Sequence, residues 1–178
     1  MNFSVLDFFL LSLLDRGSET PYDLQRGVGI SLGASLPSLR RLVTGKLVSR
    51  EEGRAATNRP RHVYRLTASG KQAARTAWKA QLNGNDSPTD LDSILRIADM
   101  AAHYGADKKK IRSFLRRSAE ARSLLARQAG LQAEASTRPS ERISYSGMRT
   151  RCDAARLAAE AEALHGLADL FRGTRGSV

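Results

Sequence analysis

The sequence predicts a mainly α-helical chain, with an N-terminal winged helix-turn-helix (three helices plus a two-stranded wing) and a C-terminal helical region. Three observations predict it. Within residues 31–70 a short amphipathic segment is followed by Gly45, a β-prone run, a basic loop and a second β-prone run. Two helix-length segments precede that stretch, and beyond residue 88 the hydrophobic pattern is helical almost throughout. The positive charge is densest along the third helix and the wing.

Taken in order, Phe3, Leu6, Phe9, Leu10, Leu13 and Leu14 make a wide apolar stripe over Phe3–Arg16, and Gly17 stops that helix. The segment is too short to span a bilayer, is interrupted by Asp7 and lacks the basic start of a secretion signal. It reads as a core helix. Thr20 is a good N-cap, Pro21 suits the first helical position, and Asp23 favours the positive end of the dipole. The second helix therefore runs from about Pro21 to Arg26 and ends at Gly27 or Gly29. In the third, Leu32, Leu36, Leu39 and Val43 lie within about 40° of one direction at ~100° per residue, and Gly45 ends it. A start near Ala34 accommodates Pro37, because the first N–H groups of a helix have no partner. Leu47–Glu51 then makes a brief strand, Gly53–Arg61 a basic loop, and His62–Thr67 a second strand. In that strand Tyr64 and Leu66 share one face; Val63, Arg65 and Thr67 share the other.

After the wing, Thr67 or Ser69 caps a helix that carries Trp78 and runs to about Leu82. Residues 83–88 (NGNDSP) are a break, which divides the chain into a winged-helix domain, 1–83, and a helical domain, 84–178. Thr89 or Asp90 caps a helix with Leu91, Ile94, Leu95 and Ala98 on one side, ending near Gly105. Asp107 caps a longer one with Ile111, Phe114, Leu115, Ser118 and Leu125 broadly aligned. Residues 134–146 contain Pro139 and no periodicity and read as a loop or frayed helix end. Residues 147–171 return to helix, with Leu157, Leu164, Leu167, Ala168 and Phe171 as the apolar side. Three helices form only a thin core and neither long one can bury its stripe alone, so a second copy of the chain is the expected partner.

The formal charge is +11, from 29 Lys and Arg against 18 Asp and Glu. Charge alone does not separate DNA from RNA or acidic membrane, but its distribution is uneven. Residues 1–83 carry +7 and the remainder +4, and residues 40–65 hold eight basic residues against only Glu51 and Glu52. Cys152 is the only cysteine, so neither an intrachain disulfide nor a cysteine-based zinc site is possible, and a cytoplasmic location fits. His62, His103 and His165 fall in three different elements with no metal-ligand spacing. No nucleophile–base pair, phosphate loop or acidic dyad is visible; neither enzyme chemistry, a metal nor a cofactor is expected.

The pattern is similar to that of the PadR family of bacterial transcriptional regulators. Its motifs are a G-Y-x-L segment, a Y-P-x-L-x-x-L recognition helix followed by glycine, and a Y-x-L-T-x-x-G wing exit. Here they match at Tyr22 and Leu24; at Pro37, Leu39, Leu42 and Gly45; and at Tyr64, Leu66, Thr67 and Gly70. Pro21 replaces the family's glycine and Leu36 its tyrosine. The resemblance covers roughly the first half of the chain. It implies a DNA-binding repressor in which the C-terminal helices and the first helix hold two winged helices as a homodimer.

Candidate DNA contacts follow from this fold. On the recognition helix they are Ala34, Ser35, Pro37, Ser38, Arg40, Arg41 and Thr44. The angular count puts Ala34, Pro37, Ser38 and Arg41 outermost, with Arg41 able to pair with guanine O6 and N7 and Ser38 with a base edge or phosphate. On the wing they are Arg54, Asn58, Arg59, Arg61 and His62, suited to phosphate or the minor groove. The bland alternatives are a solvated helix face and an ordinary basic hairpin. Lys108, Lys109 and Lys110 read as a solvated face, and Cys152 as a small buried filler. Phe8, Phe9, Trp78, Tyr104 and Phe114 are candidate walls of a pocket for a small aromatic or drug-like effector, against the simpler reading as core. The expected function is a homodimeric repressor on double-stranded DNA with two-fold-related half-sites; the alternative is a winged-helix module that binds protein or RNA without operator specificity.

Overall fold

The computed structural model describes residues 3–54, 60–84, 88–135 and 144–172, the side chains of Arg54, Pro60 and Arg61 excepted. They form α1 (Val5–Asp15), α2 (Pro21–Val28), α3 (Leu32–Thr44), β1 (Val48–Arg54), β2 (Pro60–Leu66), α4 (Ala68–Asn83), α5 (Leu91–His103), α6 (Lys108–Ala135) and α7 (Tyr145–Leu170). The chain divides into two compact units, one of residues 1–81 with 99–104 and one of residues 82–98 with 105–178.

The first unit is a helix-turn-helix followed by an antiparallel hairpin. Its helix starts are written in the sequence. Ser4 and Thr20 each close a capping box, with Asp7 and Asp23 respectively, and Ser31 Oγ accepts from the Ala34 N–H. Pro21 opens α2, and Gly29, at φ 72°, closes it in the left-handed region that glycine adopts without strain. The α3 helix begins at Leu32 rather than near Ala34, so Pro37 sits inside it and has no N–H for the Gly33 carbonyl. α3 packs against α1, α2 and β1. Leu10, Leu11, Leu24, Leu39 and Leu42 are fully buried, joined by Val48, Val63, Tyr64, Ala74 and Trp78. Each buried leucine or valine contributes roughly 1.5–3 kcal/mol on removal from water.

The hairpin pairs Val48 with Leu66 through to Arg54 with Pro60. The strands are longer than the sequence patterning suggests because ladder pairing extends into the polar residues 51–54. Strict alternation also fails: neighbouring Val63 and Tyr64 are both buried. The Tyr64 N–H donates to Glu19 O at 2.8 Å, tying β2 to the turn before α2.

Thr67 is the pivot where β2 becomes α4. Its Oγ1 lies 2.9 Å from Lys46 O and 3.1 Å from Leu47 O, and it accepts from the Gly70 N–H at 3.0 Å. A Cβ on Gly70 would stand 1.9 Å from Leu47 O, so only glycine allows the helix this close to the strand entry.

In the second unit α6 and α7 pack antiparallel, as their ion pairs record: Arg112 and Arg116 with Asp169, Arg122 with Glu160. Ile94, Ile97, Ile111, Phe114, Leu115, Ala119, Ala161, Leu164 and Ala168 form its core. Ser118 is buried as expected on the inward face of α6, but Leu125 is exposed, because beyond Ser118 the buried side chains are those of Ala119, Arg122 and Ala133. Asp90 Oδ1 accepts from the Ser93 N–H at 2.7 Å at the start of α5, and Ser144 caps α7. Among the described residues no helix is long and apolar enough to cross a membrane.

Candidate nucleic-acid interface

The orientation of α3 decides which residues can meet DNA. Its buried residues are Ser35, Ser38, Leu39 and Leu42. Diametrically opposite, Gly33, Pro37, Arg40 and Thr44 are exposed, with Ala34 half-buried beside them. Of the expected outermost residues Pro37 is outermost and Ser38 is buried, as is Ser35, another expected contact. The helix is turned about 80° from the direction its leucine stripe suggested, at ~100° per residue. Leu32, which the stripe placed inside, is 42% exposed. The reason lies across the interface, on α1.

Asp7 is fully buried in a largely apolar helix, and a buried carboxylate needs donors. It receives the Ser4 N–H at 2.7 Å and the Ser4 hydroxyl at 2.9 Å. Arg41 supplies the rest, with Nη2 at 2.9 Å from Oδ1 and Nε at 3.3 Å from Oδ2. The same guanidinium donates to Ser38 Oγ at 2.9 Å. Burial pushes the Asp7 carboxyl up, but the hydrogen bonds from Ser4, Arg41 and Ser38 outweigh it and hold it below the usual carboxylate range. Arg41 is therefore not the free outward arginine the angular count made it. Its side chain is 44% exposed, yet its fork is spent on α1. Arg40 is the exposed arginine on the outward stripe.

Sequence reasoning missed Asp7 as the residue that orients α3. The signal was there: a carboxylate inside an apolar stripe demands a cation from a neighbouring element, and the third helix carries Arg40 and Arg41.

On the wing, His62 is exposed and its Nε2 lies 2.8 Å from Arg50 Nη2. Arg65 pairs with Glu19 at 3.1 Å and Glu51 at 3.4 Å, which fixes the base of the hairpin. Arg54 and Arg61 stand in the paired strands at its far end, where Gly53 opposes Arg61. Asn58 and Arg59 lie outside the described residues, as do the side chains of Arg54 and Arg61.

The five candidate pocket residues take ordinary structural places. In the first unit Phe9 and Trp78 are core, Phe8 is half-buried, and the Tyr104 hydroxyl donates to Asp15 at 3.1 Å. Burial leads in raising the Tyr104 phenol's pKa. Phe114 belongs to the core of the second unit. None of the five lines the first unit's cleft of about 360 Å³ among Leu14, Ser18, Tyr64, Leu66 and Lys71. Cys152 is exposed rather than buried, because α7 turns Gly147, Ala161, Leu164 and Ala168 inward. Among the described residues no group of three or more His, Cys, Asp or Glu could hold a metal ion.

No family model and no curated protein matches the sequence. Solved structures do. Bacillus subtilis PadR in complex with operator DNA is 16% identical, with 96% of this chain and 97% of that chain covered and a TM-score of 0.41. The PadR-like transcriptional regulator BC1756 from Bacillus cereus is 17% identical, with 96% and 98% covered and a TM-score of 0.38. The protein smu.1604c from Streptococcus mutans is 13% identical, with 91% and 98% covered and a TM-score of 0.36.

Proposed function

We propose that this protein is a sequence-specific DNA-binding transcriptional regulator: a cytoplasmic, homodimeric repressor that occupies a two-fold-related operator. The observation that carries the reading is the outward stripe of α3. Gly33, Pro37 and Thr44 are small enough for deep entry into a major groove, and Arg40 stands among them with a guanidinium free for guanine O6 and N7. The stripe belongs to the second helix of a helix-turn-helix, followed by a basic hairpin, which is the geometry for reading a groove while clasping the backbone. In this reading Arg40 specifies, Ala34, Pro37 and Thr44 shape the fit, and Arg54, Asn58, Arg59, Arg61 and His62 hold phosphates or the minor groove. The buried Ser35 and Ser38 are not contacts.

The division of labour is a reading domain, 1–83, and a dimerising domain, 84–178. Dimerisation is supported by the large apolar side chains that α6 and α7 leave exposed: Leu124, Leu125, Leu131, Met148 and Leu170. Sedimentation of the full chain at micromolar concentration should give a dimer, and a monomer removes this part of the proposal. Footprinting on the DNA upstream of the chain's own coding region tests the whole. A protected two-fold-related site is expected; equal binding to scrambled duplexes, or preference for RNA or an acidic protein, overturns it.

A further inference from the structure

The first stretch of α6 carries more positive charge than the acids around it offset, although Arg117 also donates to Leu82 O at 3.2 Å and Gly84 O at 3.3 Å. Lys108, Lys109 and Lys110 are fully solvent-facing, and Arg112, Arg116 and Arg117 follow within two turns. A cleft of about 330 Å³ runs along this face, lined by Lys109, Arg112, Ser113, Arg116, Arg117 and Glu120. The local acids are too few. Asp169 is shared by three guanidiniums: Arg172 at 2.9 Å, Arg116 at 3.4 Å and Arg112 at 3.9 Å. Asp107 is turned to the backbone, accepting from the Lys109 N–H at 2.8 Å. Seven cations here face Asp107, Glu120 and Asp169, a local excess of +4, which equals the whole net charge of residues 84–178.

Three adjacent lysines also sit at the positive end of the α6 dipole, where basic groups weaken a helix. Such an arrangement lowers its own repulsion when a polyanion arrives and releases counterions from it. Membrane is the poorer match. Surface-seeking helices set large apolar side chains beside the basic ones, and the exposed apolar residues of α6 (Leu124, Leu125, Leu131) all lie beyond this stretch.

We propose that this face of the second unit is a second DNA-binding surface. It engages the phosphodiester backbone without regard to sequence, additional to the reading head of the first unit. The proposal rests on the DNA-binding reading above but does not need an operator. Contacts of this kind add affinity and salt dependence, not specificity.

The test uses the full chain and a variant with Lys108→Gln, Lys109→Gln and Lys110→Gln, exposed positions where glutamine keeps the helix. Affinity is titrated against salt on a random duplex of about 30 base pairs, long enough to present several helical turns of backbone. Each lost phosphate contact should flatten the log–log slope by about 0.9, so a change of roughly 2–3 is expected. Selectivity for a footprinted site over random DNA should not change. An unchanged slope overturns the proposal. A second variant, Arg116→Gln, should flatten the slope by about one contact; if it leaves the slope unchanged, the cleft is not part of the surface. Vesicles containing phosphatidylserine form the other arm. If the triple variant loses vesicle binding while its duplex slope stays put, the surface belongs to a lipid and the proposal fails. Absence of any sequence preference in the wild type sinks the operator reading without touching this one.

Discussion

Arg40 and Arg41 are neighbours in sequence with opposite jobs in the structure, and exchanging each for alanine separates them. Arg41→Ala removes two hydrogen bonds from a carboxylate that is 0% exposed, and a third from Ser38. Breaking a buried ion pair costs about 3–5 kcal/mol. The figure must be reduced here, because Arg41 is 44% exposed and Asp7 keeps its two Ser4 donors. A loss of about 2 kcal/mol is the expected outcome, read as a lower urea midpoint. Arg40→Ala should leave that midpoint within about 0.5 kcal/mol, as exposed positions do. On DNA the order reverses. Arg40→Ala should cost about 1–3 kcal/mol on the cognate duplex and much less on a scrambled one. Arg41→Ala should weaken both in proportion to its loss of folded protein. If Arg41→Ala is neutral in urea yet selectively loses the cognate duplex, Arg41 reads bases and the clamp argument is wrong.

The same clamp has a pH signature. The folded Asp7 carboxyl titrates below its unfolded value, so its contribution is complete above about pH 4 and disappears as pH falls through the folded pKa. The stability gap between wild type and Asp7→Asn should be flat from pH 5 to 8 and close on acidification; a gap that widens refutes the direction. Gly70→Ala forces a methyl to within 1.9 Å of Leu47 O, and a loss of roughly 1–3 kcal/mol is expected in a thermal melt. In the second unit Arg122→Ala strands Glu160, whose other partner is Arg156 at 2.9 Å, and removes the donor to Thr89 O. It should cost about 3 kcal/mol or more, whereas Arg156→Ala, at an exposed residue, should cost under about 1 kcal/mol.

Much of the architecture was legible because its signals are local. Thr20 caps α2 through its own next turn, and Pro21 and Gly29 act through backbone geometry alone; Ser4, Ser31 and Ser144 cap in the same local way but were not read as caps, so α3 and α7 begin two residues earlier than expected. No distant residue can overrule such a contact cheaply, so helix order and the hairpin could be read from spacing. The facing of α3 is a different kind of fact. Its four apolar residues at 32, 36, 39 and 43 point one way, and a count by hydrophobicity follows them. The fold instead buries Ser35 and Ser38 and leaves Leu32 in water.

The choice between the two facings turns on what each leaves unpaired. Burying the leucine stripe gains the area of Leu32, worth at most a few kcal/mol. It also swings Arg41 away from Asp7, and an uncompensated carboxylate in the α1 core costs more than that area returns. The observed facing keeps Leu39 and Leu42 fully buried, so little apolar area is forfeited. Ser35 and Ser38 cost little space, and Ser38 joins the Arg41 bond network. One buried charge on the first helix thus sets the rotation of the third, and with it which arginine the outward stripe presents. That dependence is invisible to any periodicity taken one helix at a time, since the deciding residue is 34 positions away in sequence. It also says where the outward stripe is vulnerable: a substitution at Asp7, with no contact to DNA, should change which residues of α3 are presented.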